Sequence, residues 1–192
     1  RKESSAASDV YKRQTYNIVS YLRILKEEVI VKKNDEINLE EIKKMNPEII
    51  VISPGPKTPK ESKISLEIFE QLNGEYPILG ICLGHQALAY SMGLDIVKGP
   101  RPMHGKMTYI NHDGKGIFTD IPNPVKVMRY HSLVVDDSKF ENGMYEDMVI
   151  TSKTSDGIIM GFRDSKNKIE TVQFHPESCL LYTSDAADDS LR

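Results

Sequence analysis

The sequence predicts an α/β fold: an open, mostly parallel sheet with helices on both faces, extended by antiparallel strands in the C-terminal half. Two observations support this prediction. As far as residue 95, short β-branched runs alternate with segments of helical periodicity, which is typical of a parallel sheet flanked by helices. Beyond residue 95, helical segments become rare and short strands separated by turns follow one another, so antiparallel pairing is expected there.

The first predicted elements are a helix, a short strand and a second helix. Three apolar residues of TYNIVSYLRILKEE recur at helical spacing: Ile18, Leu22 and Leu25. The VIV run at 29–31 predicts a short buried strand. Asn38, with Glu41 three residues later, predicts a capping box at the start of the second helix.

Two strand–helix pairs follow. EIIVIS (48–53) predicts a strand that ends in a Pro-Gly-Pro turn, and PILGI (77–81) predicts the next strand. The helix between them is indicated by three apolar residues: Ile64, Ile68 and Leu72. HQALAYSM (85–92) predicts another helix, which Gly93 would end in a left-handed conformation.

Composition limits the classes of protein to consider. The 192 residues suffice for one domain with a hydrophobic core, and the net charge of −3 gives no reason to expect nucleic acid or an anionic membrane as a partner. No apolar run approaches the roughly 18 to 20 residues that span a bilayer. The two cysteines, Cys82 and Cys179, do not suggest a disulfide framework, so the cytoplasm is the predicted compartment. No cluster has metal-ligand spacing, and no metal or other cofactor is expected.

The two ends of the chain differ from its middle. Residues 1–14 and 179–192 are rich in Ser, Ala and Asp and show no sustained helical or strand pattern. They resemble translated adaptor sequence. We therefore expect a domain of residues 15–178, flanked by ends that are foreign to it or disordered.

Cys82 is the strongest candidate for a nucleophile. It lies in a G-x-C-x-G motif between a predicted strand and a predicted helix, where the corresponding G-x-S-x-G of hydrolases forms a sharp elbow. A sulfur near a helix N-terminus is favoured as the thiolate. The N–H of Leu83 would point to where an oxyanion forms. A packed core cysteine is the alternative that an isolated Cys would favour.

A cysteine nucleophile needs a base, and the chain has five histidines. His175 lies in TVQFHPES, just past a predicted strand, and Glu177 follows two residues later. Because Pro176 favours an extended chain, Glu177 should project to the same side as His175 and accept its hydrogen bond. A surface turn is the alternative for this motif. The SPGP turn (53–56) would place the N–H of Gly55 as a second oxyanion donor.

Four motifs in order, SPGP…TP, GICLGHQ, RYHSL and QFHPES, resemble the class I glutamine amidotransferases. Within that family they are most similar to the glutaminase subunits (component II) of anthranilate and aminodeoxychorismate synthases. The resemblance covers roughly residues 15–178 and implies a flavodoxin-like core. It also implies that Cys82 attacks the amide of L-glutamine, that His175 relays protons, and that Glu177 orients His175.

The resemblance further implies a substrate pocket and a partner. The residues that would contact glutamine or its oxyanion are Gly55, Pro56, Lys57, Leu83, Gln86, Ser132 and Leu133. Ammonia would pass to a large chorismate-binding synthase subunit. The MHGK segment would face that partner through His104, Gly105 and Lys106.

Two departures from the family pattern stand out. Lys57 occupies the position of a second glycine, and residues 8–14 replace the buried strand with which the family begins, so a strand is expected to be missing. Three alternatives remain open: the glutaminase part of a carbamoyl phosphate or GMP synthase, a free-standing cysteine γ-glutamyl hydrolase, and an inert binding module on the same fold.

Overall fold

The computed structural model describes residues 2–55, 58–140 and 147–179, with residues 2–12 described by their backbone alone. The helices are α1 (Lys2–Ile24), α2 (Leu39–Met45), α3 (Lys63–Gln71) and α4 (Leu83–Ser91). The strands are β1 (Ile50–Ile52), β2 (Ile78–Ile81), β3 (Ile96–Lys98), β4 (Lys106–His112), β5 (Val125–Arg129), β6 (Leu133–Val135), β7 (Met148–Thr154), β8 (Ile159–Asp164) and β9 (Ile169–Val172). Short 3-10 helices are formed by Pro59–Glu61, Gly116–Phe118 and Asp137–Lys139.

A seven-stranded mixed sheet forms the centre of the molecule, in the order β1-β2-β9-β8-β7-β4-β5. Strands β1, β2 and β9 run parallel to one another, and each later neighbour in that order pairs antiparallel. Strands β3 and β6 form a separate antiparallel pair. The predicted α/β class and its antiparallel extension are confirmed. The antiparallel part is the larger one among the described strands, since four of the six pairings in the seven-stranded sheet are antiparallel.

Both faces of the sheet are covered by helices, as predicted. One apolar cluster joins α3 and α4 to the sheet and includes Ile68, Leu88 and Ile78. The other lies on the opposite face, where Ile18 of α1 packs with Ile81 and Val172. Within β2 the side chains of Ile78 and Ile81 therefore belong to different clusters, as expected for a strand buried on both faces.

Several local predictions can be compared with the backbone. The capping box is confirmed, since Glu41 N donates to Asn38 Oδ1 (2.9 Å) and Asn38 N donates to Glu41 Oε2 (3.0 Å). Gly93 ends α4 with φ +82°, as predicted. The predicted strand at 29–31 is wrong: these residues form no strand, and Ile30 and Val31 are exposed, because no neighbouring strand offers them a ladder of hydrogen bonds.

The N-terminal helix is longer than its apolar periodicity indicates. It begins at Lys2, so residues 2–14, which show no sustained helical pattern, are helical. That both ends are foreign to the domain stays a prediction, and residues 180–192 lie outside the described part of the chain. Within that part, the longest helices are too polar or too short to traverse a bilayer.

Candidate active site

Cys82 lies at a sharp turn between β2 and α4. Its backbone has φ +52° and ψ −92°, a conformation that costs about 1–3 kcal/mol for a residue with a side chain. Two hydrogen bonds hold this turn: Cys82 N donates to Val172 O (2.8 Å), and Gln86 N donates to Cys82 O (3.1 Å). The strained backbone is therefore fixed by strand β9 on one side and by the first turn of α4 on the other.

The two glycines of the motif allow α4 to begin directly against the sheet. A Cβ atom on Gly84 would lie 2.7 Å from the carbonyl oxygen of Ile52, and one on Gly80 would lie 2.8 Å from the backbone carbon of Gly84. Both contacts are with backbone atoms, which cannot move aside cheaply. The G-x-C-x-G spacing thus places the N-terminus of α4, and the sulfur beside it, at the end of β2.

Strand β9 brings His175 to the same edge of the sheet. Because β9 is parallel to β2 and pairs Val172 with Ile81, its continuation runs beside Cys82. His175 N donates to Met128 O (2.9 Å), which holds the residue between β9 and β5. His175 Nδ1 donates to Glu177 Oε1 at 2.7 Å, and both side chains are almost fully buried.

The conformation of residues 175–177 differs from the prediction. An extended chain was expected, but residues 176–179 are helical and Ser178 N donates to His175 O (3.1 Å). Proline is well suited to the first position of a helix, where its missing N–H has no partner to lose. Glu177 therefore reaches the imidazole from the start of a helical turn rather than along a strand.

The imidazole of His175 is held in its charged form. Burial lowers its pKa, but interaction with the Cys82 sulfur and with the Glu177 carboxylate outweighs burial and raises the pKa to about 9. Nδ1 is bonded to Glu177, and Nε2 has no partner at hydrogen-bond distance among the described residues. Nε2 is thus the ring nitrogen left to serve the Cys82 sulfur.

The other histidines lie in environments unsuited to this role. Burial, followed by the charge of His131, lowers the pKa of His85 to about 3, and His85 stacks on Phe162. Burial, followed by the charge of Arg129, lowers the pKa of His131 to about 4. The ring nitrogens of His112 bond to Gly114 N and Pro122 O, and His104 is exposed on the surface.

The described part of the predicted glutamine pocket is brought together around Cys82. A Cβ atom on Gly55 would lie 2.6 Å from Leu83 Cδ2, so the two predicted oxyanion donors are neighbours. Gln86 Nε2 donates to the carbonyl oxygen of Leu133 at 3.3 Å. This hydrogen bond joins the predicted pocket residues at 132–133 to helix α4. Ser132 is exposed beside Leu133. Pro56 and Lys57 lie outside the described residues.

The segment predicted to face a partner lies next to the candidate site. His104, Gly105 and Lys106 are all exposed, and Gly105 has φ +60°. A Cβ atom on Gly105 would lie 3.3 Å from the Tyr130 ring, and that ring meets His175 edge-on at 5.4 Å between centroids. One aromatic ring therefore separates the exposed segment from the imidazole.

Comparison with known proteins identifies the family of this chain. Residues 6–185 match the model of the family described as glutamine amidotransferase class-I. The chain belongs to this family. The amidotransferase resembles "Aminodeoxychorismate/anthranilate synthase component 2" of Bacillus subtilis, with 45% identity over 172 residues that cover 90% of this chain and 87% of the relative. It is similarly related to "Anthranilate synthase component 2" of Cyanophora paradoxa, at 44% identity over 90% of this chain and 89% of the relative.

Solved structures of amidotransferases share the fold. A putative GMP synthase subunit of Thermoplasma acidophilum has a TM-score of 0.70 and 26% identity, covering 85% of this chain and 78% of that one. A glutamine amidotransferase of Thermotoga maritima has a TM-score of 0.64 at 18% identity, covering 91% and 79% of the two chains. The second likeness concerns the fold alone.

One residue near the nucleophile of this amidotransferase has no role in the sequence prediction. Gln173 is fully buried, and its Nε2 donates to Cys82 Sγ at 3.6 Å. The available signal was the alternation past β9, which places residues 171, 173 and 175 on one face of the chain.

No metal centre is formed by the residues at 2–55, 58–140 and 147–179, since no group of three His, Cys, Asp or Glu side chains there could hold an ion.

Proposed function

We propose that this amidotransferase hydrolyses L-glutamine to glutamate and supplies the ammonia to a chorismate-aminating synthase. One observation carries the proposal: a buried His175–Glu177 pair (2.7 Å) beside a cysteine at a strained strand–helix turn. A cysteine nucleophile, its base and the group that orients the base are the parts that acyl transfer requires. The relatives described as component 2 of anthranilate and aminodeoxychorismate synthases support the choice of acceptor.

The first half-reaction forms a thioester. The Cys82 thiolate attacks the side-chain amide carbon of glutamine, and the resulting oxyanion accepts hydrogen bonds from the N–H groups of Leu83 and Gly55. Leu83 is the first residue of α4, whose initial N–H groups have no partner within the helix. His175 then donates its Nε2 proton to the departing nitrogen, so that ammonia leaves and a γ-glutamyl thioester remains.

The second half-reaction releases glutamate. Neutral His175 takes a proton from water, which attacks the thioester carbon, and collapse of the intermediate expels the Cys82 thiolate. Glu177 keeps Nδ1 protonated and stabilises the imidazolium that forms in each cycle. The raised pKa of His175, about 9, keeps the imidazole protonated at neutral pH, so that it can donate a proton to the departing nitrogen.

The pocket and the partner surface are assigned by position. We propose that Gly55, Pro56, Lys57, Gln86, Ser132 and Leu133 surround the glutamine, within a domain of residues 15–178 that acts in the cytoplasm. His104, Gly105 and Lys106 would contact the large subunit, since this exposed segment packs on Tyr130 beside His175.

The decisive experiment replaces the nucleophile. Cys82→Ala should lower glutamate release from glutamine by at least about a thousandfold, because it removes the sulfur that attacks the amide carbon. Cys179→Ser is the matched control, since it changes the only other cysteine of the chain and should retain most of the activity. Glutaminase activity that survives in Cys82→Ala would overturn the proposal.

A second experiment identifies the acceptor. The large subunit that co-purifies with this chain should form an aminated product only when chorismate and glutamine are both present. The alternative acceptor reaction is GMP synthesis, because the fold is also similar to that of a putative GMP synthase subunit. Ammonia-dependent formation of GMP by the co-purified partner, with no use of chorismate, would replace the proposed acceptor while leaving the glutaminase assignment intact.

A further inference from the structure

We propose that Gln173 is a positioning residue that holds the Cys82 sulfur as a hydrogen-bond acceptor and so keeps the nucleophile in its thiolate form. The inference rests on the proposed function, because it concerns the same nucleophile. It goes beyond that function by assigning a role to a buried amide outside the Cys82–His175–Glu177 set.

The sheet register places Gln173 beside the nucleophile. Ile81 of β2 pairs with Val172 of β9, so the next residues along the two parallel strands, Cys82 and Gln173, are neighbours. Gln173 N donates to Met160 O (2.9 Å), which fixes the backbone from the β8 side. The side chain is fully buried, with Nε2 3.6 Å from Cys82 Sγ and Oε1 3.0 Å from Gln86 Nε2.

The direction of these hydrogen bonds follows from a backbone carbonyl. The oxygen of Leu133 can only accept, so the Gln86 atom at 3.3 Å from it must be the amide nitrogen. That nitrogen is also 3.0 Å from Gln173, so the Gln173 atom it meets must be the oxygen. The Gln173 nitrogen is then left to face Cys82 Sγ, and the sulfur meets a donor. Hydrogen bonding of this kind favours the charged form of the acceptor.

The same chain of amides orients the predicted substrate contact. Both protons of the Gln86 amide are engaged, by Leu133 O and by Gln173 Oε1, so its carbonyl oxygen is the part left to accept a hydrogen bond from a substrate. Gln173 therefore contacts both the nucleophile and the substrate pocket. Its nitrogen donates to the Cys82 sulfur, and its oxygen orients the amide of Gln86.

Two substitutions separate these two effects. Gln173→Met removes both the donor and the acceptor at nearly the same side-chain length. Gln173→Glu, as a carboxylate, keeps the acceptor for Gln86 but presents the sulfur with a negative charge instead of a donor. The measurements are the pH dependence of Cys82 alkylation by iodoacetamide, with the modified cysteine identified by peptide mass spectrometry, and kcat and KM for glutamine.

In both variants the midpoint of the alkylation profile should move to higher pH, and the rate at pH 7 should fall about tenfold, in the range expected for a hydrogen bond to a charged group. The limiting rate at high pH should stay near that of the parent, which a merely structural defect would not produce. Gln173→Glu should lower kcat with little change in KM, whereas Gln173→Met should also raise KM because Gln86 loses its partner.

Thr171→Val is the matched control. Thr171 lies on the same face of β9 and is equally buried, but its hydroxyl bonds to His85 Nδ1 (2.9 Å) rather than to the sulfur. This variant should leave the alkylation midpoint unchanged. An unchanged midpoint and kcat in the Gln173 variants, while Cys82→Ala abolishes glutaminase activity, would overturn the role of Gln173 and leave the proposed function standing. Full activity in Cys82→Ala would instead overturn the proposed function itself.

Discussion

The parallel and antiparallel parts of the sheet contribute to the site in different ways. Strands β1, β2 and β9 run parallel, and their carboxyl ends carry Cys82 and His175 to one edge. The antiparallel strands supply support: Met128 O anchors the backbone of His175, and Arg163 on β8 forms partly buried ion pairs with Asp113 and Glu170. Substitutions that displace residues of the parallel part should therefore abolish activity. Substitutions in the antiparallel part should mainly change stability.

Among substitutions outside the Cys82–His175–Glu177 set, the largest effect on activity is expected from Gly84→Ala. The added Cβ would lie 2.7 Å from the Ile52 carbonyl, so α4 must move away from β1 and carry the Cys82 turn with it. Overpacking of this kind costs about 1–3 kcal/mol, and misplacement of a reacting group by about 1 Å costs about a hundredfold in rate. Glutaminase activity measured beside denaturant unfolding would reveal both effects.

Gly114→Ala is the control in the antiparallel part. Gly114 has φ +69°, but nothing lies within 4 Å of its added Cβ. A side chain there should cost about 1 kcal/mol from backbone strain alone, with unchanged kcat. Comparable activity losses in the two alanine variants would contradict the division between the two parts.

The second prediction concerns Glu177→Ala, which should lower both stability and kcat. Removing one partner of a fully buried ion pair costs about 3–5 kcal/mol, because the other charge stays buried without compensation. Loss of the carboxylate also removes a cause of the raised pKa of His175 and frees the ring to rotate, so kcat should fall at least about a hundredfold.

Glu170→Ala is the matched change of a glutamate outside the site: Glu170 lies on β9, and its Oε1 accepts a hydrogen bond from Arg163 Nε at 2.8 Å. It should lower the midpoint of denaturant unfolding while kcat stays within about twofold of the parent, since no contact of Glu170 reaches the site. A kcat loss in Glu170→Ala as large as that in Glu177→Ala would contradict a specific role of the Glu177 carboxylate in catalysis.

The parts predicted well from the sequence are those in which the chemistry is local. The elbow at Cys82 could be predicted because strand, glycines and helix lie in one short motif. The contact between His175 and Glu177 was expected from their spacing, although through an extended chain. The helical turn at 176–179 was not predicted, because the residue before a proline favours an extended conformation, whereas proline itself also suits the first turn of a helix.

The parts missed depend on contacts distant in sequence. Gln173 meets Cys82 across 91 positions of the chain, and only the register of β2 and β9 brings them together. The VIV run at 29–31 has the composition of a strand but lies beside no other strand, so composition alone was insufficient.

The third effect is a dependence of stability on pH that distinguishes the buried histidines. The pKa of His175 is raised from 6.5 to about 9. Its contribution to the free energy of unfolding is therefore complete below pH 6.5 and is lost as the pH rises through 9. The pKa values of His85 and His131 are lowered to about 3 and 4, so their contributions are lost as the pH falls below 6.5.

Denaturant unfolding measured from pH 4 to pH 10 should therefore show greatest stability near neutral pH. Cys82→Ala removes the sulfur that helps to raise the pKa of His175, so it should weaken the alkaline loss of stability and leave the acid loss unchanged. An alkaline loss identical in the two proteins would show that the sulfur and the imidazole do not interact.

The smallest effect on activity is expected from Arg163→Met, although this change should affect stability. The guanidinium bonds to Asp113 Oδ2 (2.7 Å), Glu170 Oε1 (2.8 Å) and Lys115 O (2.6 Å), and so ties β8 and β9 to the loop after β4. Its removal leaves two partly buried carboxylates without their ion-pair partner. Each lost charged hydrogen bond is worth about 1.5–3 kcal/mol when solvent is excluded. The partial exposure of both carboxylates lowers this value, because solvent screens the charges.

Lys166→Met provides the matched cation change in the same part of the molecule. Lys166 pairs with Asp147 at 3.0 Å, but both side chains are exposed, so no measurable change in unfolding is expected. Arg163→Met should lower the unfolding midpoint and keep kcat and KM within about twofold of the parent. A fall in kcat without a fall in stability would mean that the antiparallel part acts on the chemistry directly, which would break the comparison between the two halves of the sheet.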